Sequence, residues 1–393
     1  MFESPFHPGF GVVPEVLAGR TEIIDRLRNR IAATEPSHHG FLGPRGVGKT
    51  AILRDAQQWV RDTHGWPTVW HDCDSDQELS AVLARRLLAS TQHLPDVWER
   101  VTNALAKRMS ISVELFVKLS MQPTSATTFH HDSILTDTFE QIGEAAREHR
   151  TKVIVFIDEI QSLEGTTELV RLSQALQSVA SQRLPVHTYH AGLFLPTPPT
   201  DRGGSFLERL DITDVGDLDR DATRLAFLEP INHAGVTIHE AALDRLAEKS
   251  GGYPYFIQLY GDRTWDQWRL DGTEGPITDR HATLGLGSAQ NQVDRMYRMR
   301  FDKLAPAQQN FVTAMAAVAK QGVAEIAEIA GRLGRDPKSL SQTRVALIER
   351  HQLVERAEHR GELRFTLPEF SDWAKQRGEH RVKPPGDSTT DLG

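Results

Sequence analysis

One cysteine, Cys73, stands in a chain of 393 residues. Disulfides need pairs and cysteine-based metal clusters need several thiols, so neither organises this protein. Long apolar runs are also missing: no stretch approaches the roughly 18 residues that a membrane-spanning helix needs. The opening Met-Phe-Glu-Ser-Pro has neither the basic nor the apolar region of a secretory leader. No repeat with a period of about 20 to 50 residues is evident, which excludes a solenoid or propeller. Positive charge is in deficit, 45 Lys+Arg against 53 Asp+Glu for a net −8, which excludes a chain that adheres to nucleic acid over its whole surface. What is left is ordinary globular material, 39% hydrophobic and 25% charged, long enough for two or three domains. These absences together point to a reducing cytoplasm and to no membrane partner.

What is present centres on Gly43, Pro44, Arg45, Gly46, Val47, Gly48, Lys49 and Thr50, a complete G-x-x-x-x-G-K-[ST] phosphate-binding loop. The glycines let the backbone curl so that successive N–H groups point at phosphate oxygens. Lys49 would reach the β- and γ-phosphates, and the Thr50 hydroxyl would ligate Mg²⁺. Ala51 follows in a helix with apolar spacing at Ile52, Leu53, Ala56, Trp59 and Val60, whose positive end adds to the anion site. Further on, Val153-Ile154-Val155-Phe156-Ile157 is an unbroken apolar run ending in Asp158-Glu159. Such a run reads as a strand buried on both faces of a parallel sheet. Asp158 would hold Mg²⁺, and Glu159 would orient and deprotonate an attacking water. Each half alone also describes a tight turn or a core strand with a polar end; the two together specify a site for ATP and Mg²⁺.

The rest of the chain predicts an α/β fold: a P-loop NTPase parallel sheet with helices on both faces, then an all-α lid, then a C-terminal winged helix-turn-helix. Residues 1–218 form the ATPase core, with further strands at 67–73, 185–192 and 211–215. Residues 110–120 alternate almost strictly and predict a half-buried β insertion. Residues 219–290 form a helical lid and linker, with helices at 219–229, 239–249 and 254–270 and a Gly- and Thr-rich linker over 271–290. Trp265 and Trp268 on the third helix read as core. Residues 295–377 form the winged-helix domain. Its helices run over 307–319, 323–333 and 338–350, and a two-strand wing surrounds His359-Arg360-Gly361. Residues 378–393 read as a disordered tail.

Over nearly its full length this layout resembles AAA+ and STAND-like P-loop ATPases with a C-terminal winged helix, similar in layout to archaeal ATPases and origin-recognition-type initiators. The resemblance rests on Gly19-Arg20, the phosphate loop, Asp158-Glu159, Arg209 and Gly252-Tyr253-Pro254. It implies that Gly19 and Arg20 lie on the adenine side, although a helix start with a solvated arginine is an equal reading. A polar residue ending the 185–192 strand would sense the γ-phosphate, with His190 and Thr188 as candidates. His187 and His190 face opposite sides of a strand and make no metal pair. Arg209 would reach a neighbouring subunit's site in an ATP-dependent homo-oligomer, or else be tethered to a nearby acid. Pro254 would contact nucleotide in place of a lid arginine, for which Arg263 lies too far along its helix. These features fit a slowly hydrolysing switch better than a motor.

Two outputs remain open. In one, the third helix of the winged domain reads double-stranded DNA through Lys338, Ser339, Ser341, Gln342 and Arg344, with Arg356, His359 and Arg360 on the wing. Residues 300–377 carry 13 Lys+Arg against 10 Asp+Glu, a mildly basic unit on an acidic body. In the other, the winged helix binds a protein partner, or packs on the ATPase core, and the chain is a signalling ATPase.

Overall fold

Parallel strands must be joined by crossovers of a dozen or more residues, and the spacing of the apolar runs supplies them. In the computed structural model, which describes residues 3–9, 11–74, 79–90, 99, 103, 133–199, 207–272 and 274–382, five such strands form one sheet. They are β1 (His38–Leu42), β2 (Thr68–Asp72), β3 (Val153–Asp158), β4 (Val186–Gly192) and β5 (Asp211–Asp214). Their order is β2-β3-β4-β1-β5, and every pairing is parallel. All six residues of β3 and all seven of β4 are buried, as the unbroken apolar run requires. Fully burying one such Val, Ile or Phe contributes about 1.5–3 kcal/mol.

Helices cover both faces. On one face α1 (Thr21–Ala32) and α2 (Lys49–His64) bring Leu27, Ile31, Ile52, Leu53 and Ala56 against Phe41, Ile154, Phe156 and Tyr189. On the other, α3 (Leu79–Ser90), α4 (Ile134–Glu148) and α5 (Thr167–Ser181) pack Leu83, Leu135, Phe139, Leu172 and Leu176 on Val69, Val155 and Ile157. Register places all five carboxyl ends on one rim, so Leu42, Asp158 and Gly192 open into the same cleft. The β insertion expected at 110–120 lies outside the described residues.

The lid consists of α6 (Arg220–His233), α7 (Glu240–Ser250) and α8 (Pro254–Leu270). Trp265 and Trp268 are buried there, as their spacing predicts. The 271–290 stretch is not a linker throughout: α9 runs over Asp279–Asp302 and packs along α8. Its glycine content misled the sequence reading. Gly285 faces α8 so closely that a Cβ there would stand 2.6 Å from the Thr264 hydroxyl oxygen. The residue is small for helix contact, not for flexibility.

Beyond α9 come α10 (Pro306–Val318), β6 (Val323–Glu325) and α11 (Ile326–Leu333). The third helical stretch opens with a 3₁₀ turn, Pro337–Leu340, continues as α12 (Ser341–Val345) and ends in a π turn, Ala346–Arg350. Strands β7 (Val354–Arg356) and β8 (Glu362–Phe365) join β6 in an antiparallel sheet of order β6-β8-β7, and α13 (Phe370–Val382) follows. This is the arrangement of a winged helix-turn-helix. Two expectations are corrected here. Residues 323–325 form a strand rather than the start of a helix, because Gln321 and Gly322, both at positive φ, turn the chain out of the helical path. The tail does not begin at 378, since α13 continues to Val382 and Phe370 and Ala374 anchor it in the core.

Candidate active site

The phosphate loop starts where β1 ends. The Gly43 N–H donates to the Gly192 carbonyl at 3.2 Å, and the Val215 N–H donates to the Leu42 carbonyl at 2.7 Å. The loop is thereby wedged between the ends of β4 and β5. Gly43 has φ +151°, and a Cβ there would collide with the Val215 carbonyl. Lys49 folds back over the loop, donating from Nζ to the Gly43 and Pro44 carbonyls at 2.7 Å each. It is 8% exposed. Burial lowers its pKa to about 8, Arg45 and Arg300 act in the same direction, and Glu159 and Asp158 oppose them. Gly48 ends the loop in the left-handed region and caps α2, so the first N–H groups of a 16-residue helix face the concavity. The arrangement is a cationic cradle of N–H donors and one buried lysine. It fits a polyphosphate.

Asp158, 5% exposed, ends β3. Its Oδ2 accepts from Thr50 Oγ1 at 2.6 Å and its Oδ1 from the Glu159 N–H at 2.8 Å. Burial raises its pKa, and these two hydrogen bonds act against that rise. A hydroxyl and a carboxylate in direct contact at a helix start are hard oxygen ligands. They suit Mg²⁺, which Thr50 and Asp158 would hold.

Glu159 sits just past the strand with φ +54°, a left-handed conformation unusual for a non-glycine residue. The turn aims its carboxylate out of the sheet to a half-exposed position, 4.0 Å from the Arg45 guanidinium. Its Oε2 accepts from Gln161 Nε2, and Gln161 Oε1 accepts from the Leu193 N–H at 2.9 Å. Gln161 therefore ties the carboxylate to the end of β4. Sequence reasoning passes over this residue; its position two places after Glu159 was the available signal.

The other candidates divide. Arg20 is buried, not solvated: its guanidinium donates to the Val47 carbonyl at 3.2 Å and to the Gly216 carbonyl. It braces the phosphate loop against the connection between β5 and α6. Gly19 beside it, at positive φ, leaves room for Ala222 on α6. Pro254 is the first residue of α8 and half-buried. The residue before it reaches further, for the Tyr253 hydroxyl donates to the Arg45 carbonyl at 2.6 Å. Gly46 lies under that hydroxyl, and a Cβ there would collide with it. Arg300 of α9 donates to the Tyr253 hydroxyl oxygen at 2.8 Å and to the Arg45 carbonyl at 3.4 Å. Tyr253 was visible as the aromatic inside Gly-Tyr-Pro, whereas nothing in the sequence marks Arg300.

His190 is corrected. It is 1% exposed, and its Nε2 pairs with Thr188 Oγ1 at 3.2 Å, two residues back along β4. Thr188 pairs in turn with His38 Nδ1 at 2.7 Å. The ring thus leans away from the rim that carries the phosphate loop, into the sheet. Arg209 is exposed in the turn before β5, at the amino end of a parallel strand and so at the opposite end of the sheet from its own chain's loop. In the winged unit Lys338, Ser339, Gln342, Arg356, His359 and Arg360 are exposed, while Ser341 and Arg344 are half-buried. The structure thus gathers the loop, Asp158 and Glu159 at one cleft, and leaves His190, Arg209 and the winged-helix residues outside it.

Residues 16–187 match the AAA ATPase domain family, and residues 294–374 match a domain of unknown function, DUF8462. No curated protein matches the sequence. Among solved structures, the chain is similar to a Walker-type ATPase of Pyrococcus abyssi at 14% identity and a TM-score of 0.62, over 91% of this chain and 96% of that one. It is also similar to the Aeropyrum pernix Orc1 protein in complex with DNA, at 13% identity and a TM-score of 0.44, over 94% and 96% of the two chains. The Thermotoga maritima RuvB Holliday junction branch migration motor aligns at 15% identity and a TM-score of 0.43, over 95% and 100%. The first of these shares the fold.

Proposed function

We propose, on the premise that residues 16–187 are an AAA ATPase domain, that this protein is a slowly hydrolysing ATP switch that controls DNA binding through its winged helix. Lys49 and the loop N–H groups bind and orient the phosphates. Mg²⁺, when held by Thr50 and Asp158, supplies charge neutralisation on the phosphate oxygens. Glu159 takes a proton from the attacking water. Its carboxylate already accepts from Gln161 and faces Arg45, so it must exchange these partners for the water before it can act.

One observation carries the switch reading: the winged unit is hydrogen-bonded to the wall of the site. Gln352 Nε2 donates to the Leu193 carbonyl at the end of β4, and the Leu193 N–H is held by Gln161, which holds Glu159. A change at the γ-phosphate side therefore has a short route to the winged helix. DNA is favoured over a protein partner by the exposed Arg332, Arg335, Lys338 and Gln342 around the third helix. Val345 is the exposed large hydrophobic residue there among the described residues, too little for an apolar docking patch. Arg209 would complete a neighbour's site, because it lies at the far end of the sheet from its own.

Duplex affinity measured against salt, with a slowly hydrolysed ATP analogue and with none, tests this reading. Three or four phosphate contacts from one unit give a log–log slope of about −3, and an ATP-built oligomer gives one several times steeper. A chain that stays monomeric with the analogue and binds no duplex at low salt would transfer the proposal to a protein partner.

A further inference from the structure

Within six residues, the carboxyl end of α9 grips two things. On one side Arg300 bonds the Tyr253 hydroxyl oxygen at 2.8 Å and the Arg45 carbonyl at 3.4 Å. Tyr253 Oη donates to that same carbonyl at 2.6 Å, so one side chain from the lid and one from α9 clasp the third residue of the phosphate loop. On the other side Tyr297 donates its hydroxyl to the Pro368 carbonyl, and Asp302 accepts from Arg377 of α13 at 3.1 Å. Aromatic contacts complete this second grip: Tyr297 lies 5.2 Å from Phe370 and Phe301 lies 5.8 Å from Trp373, between ring centroids. Residues 297–302 lie within one unbroken helix, so no hinge separates the two grips.

The clasp is electrostatically poised. Beside burial, Arg300 and Arg45 both lower the pKa of Lys49, against Glu159 and Asp158, so Arg300 shares the loop with two further cations. Phosphate in the loop relieves that crowding, and the relief is felt directly by Arg300. The clasped backbone also lies within the segment that must close on phosphate. Any adjustment of residue 45 is passed to Tyr253 and Arg300 by hydrogen bonds, and from Arg300 to α13 along about one helical turn.

We propose that Arg300, with Tyr253, is a positioning residue of the phosphate loop and that it transmits nucleotide occupancy through α9 to the winged helix. This rests on the switch reading above and names the part that carries it. Arg300 is not assigned a contact to the reacting atoms; it acts through the Arg45 carbonyl and Tyr253.

The test uses the full chain at saturating ATP analogue, so that every variant is equally loaded. Hydrogen exchange over residues 366–377 is compared between loaded and empty protein, alongside the dissociation constants for ATP analogue and ADP. In wild type the nucleotide changes exchange in that segment. In Arg300→Ala, ATP-analogue affinity falls about tenfold, as for loss of a charge-assisted hydrogen bond, and the nucleotide-dependent change disappears. Tyr253→Phe removes one hydroxyl at constant shape, keeps the fold, and diminishes the same change. Arg300→Lys restores part of it, which a purely structural defect would not predict. If wild type responds and both Arg300→Ala and Tyr253→Phe respond equally well, the link through α9 is overturned while the switch stands. If wild type binds the analogue and shows no change at all, the switch reading falls and the link falls with it.

Discussion

Lys49 makes the phosphate site a proton-coupled one. In the nucleotide-free protein burial lowers its pKa to about 8. Nucleotide phosphates place negative charge against Nζ and favour the ammonium, which returns the pKa to at least its ordinary value of about 10.4. The sign follows directly: the free site binds fewer protons than the loaded site, so loading takes up protons and affinity falls as pH rises. From a pKa near 8, the uptake should be about 0.1 proton per site at pH 7, 0.5 at pH 8 and 0.9 at pH 9. Binding should weaken about fivefold from pH 8 to 9 and about sevenfold from pH 9 to 10, about 1 kcal/mol per unit. The assay is titration calorimetry of Mg–ATP analogue binding at each pH in two buffers of different ionisation enthalpy. The difference in apparent enthalpy gives the protons taken up, and above pH 8 the phosphates themselves are fully ionised. Lys49→Arg carries a charge that does not titrate in this range, so any binding it retains should show no uptake. An uptake near zero at pH 9 in wild type would refute the reasoning, because Lys49 would then be charged in the empty site.

Glu159→Gln keeps the shape of the side chain and the Thr50–Asp158 pair but cannot take a proton. ATP binding should persist while hydrolysis falls about 10²-fold or more, and single-turnover rates check it; a variant at wild-type speed would assign the base elsewhere. Acid should loosen the core by a separate route. His39 and His71 are lowered to about 4 and His190 to about 3, in each case first by burial. The unfolded chain therefore binds more protons than the native one from about pH 6.5 downward, so stability is full above that pH and is lost as pH falls toward 4. Urea unfolding at pH 7.5, 6 and 5 should show a midpoint that drops steeply; a flat midpoint would mean that these rings find partners for their protons.

Much of the fold was legible because its determinants are local or periodic. Residues 153–157 are apolar without interruption, and only a strand covered on both faces buries such a run. The loop was legible because G-x-x-x-x-G-K-[ST] is a set of backbone requirements, met here by Gly43 and Gly48 at positive φ. The linker over 271–290 was misread for the converse reason. Glycine composition reports flexibility only when nothing packs against it, and Thr264 packs against Gly285. His190 was misplaced because its position at a strand end is local, whereas the direction of its ring is set by Thr188 and, through it, His38.

The amino-acid sequence alone determined the phosphate loop, the carboxylate pair, the α/β alternation and the lid helices. Each is written in residues close together in the chain, where φ preferences and hydrophobic period act directly. Only the tertiary structure decided what those parts touch. It brought Thr50 Oγ1 to 2.6 Å from Asp158, 108 residues away, and buried Arg20 beneath the loop rather than in solvent. It laid Tyr253 and Arg300 on the Arg45 carbonyl and seated Gln352 at the end of β4. Those contacts join residues 159 to 255 positions apart, and their partners are chosen by how whole elements pack, a quantity that no local pattern encodes.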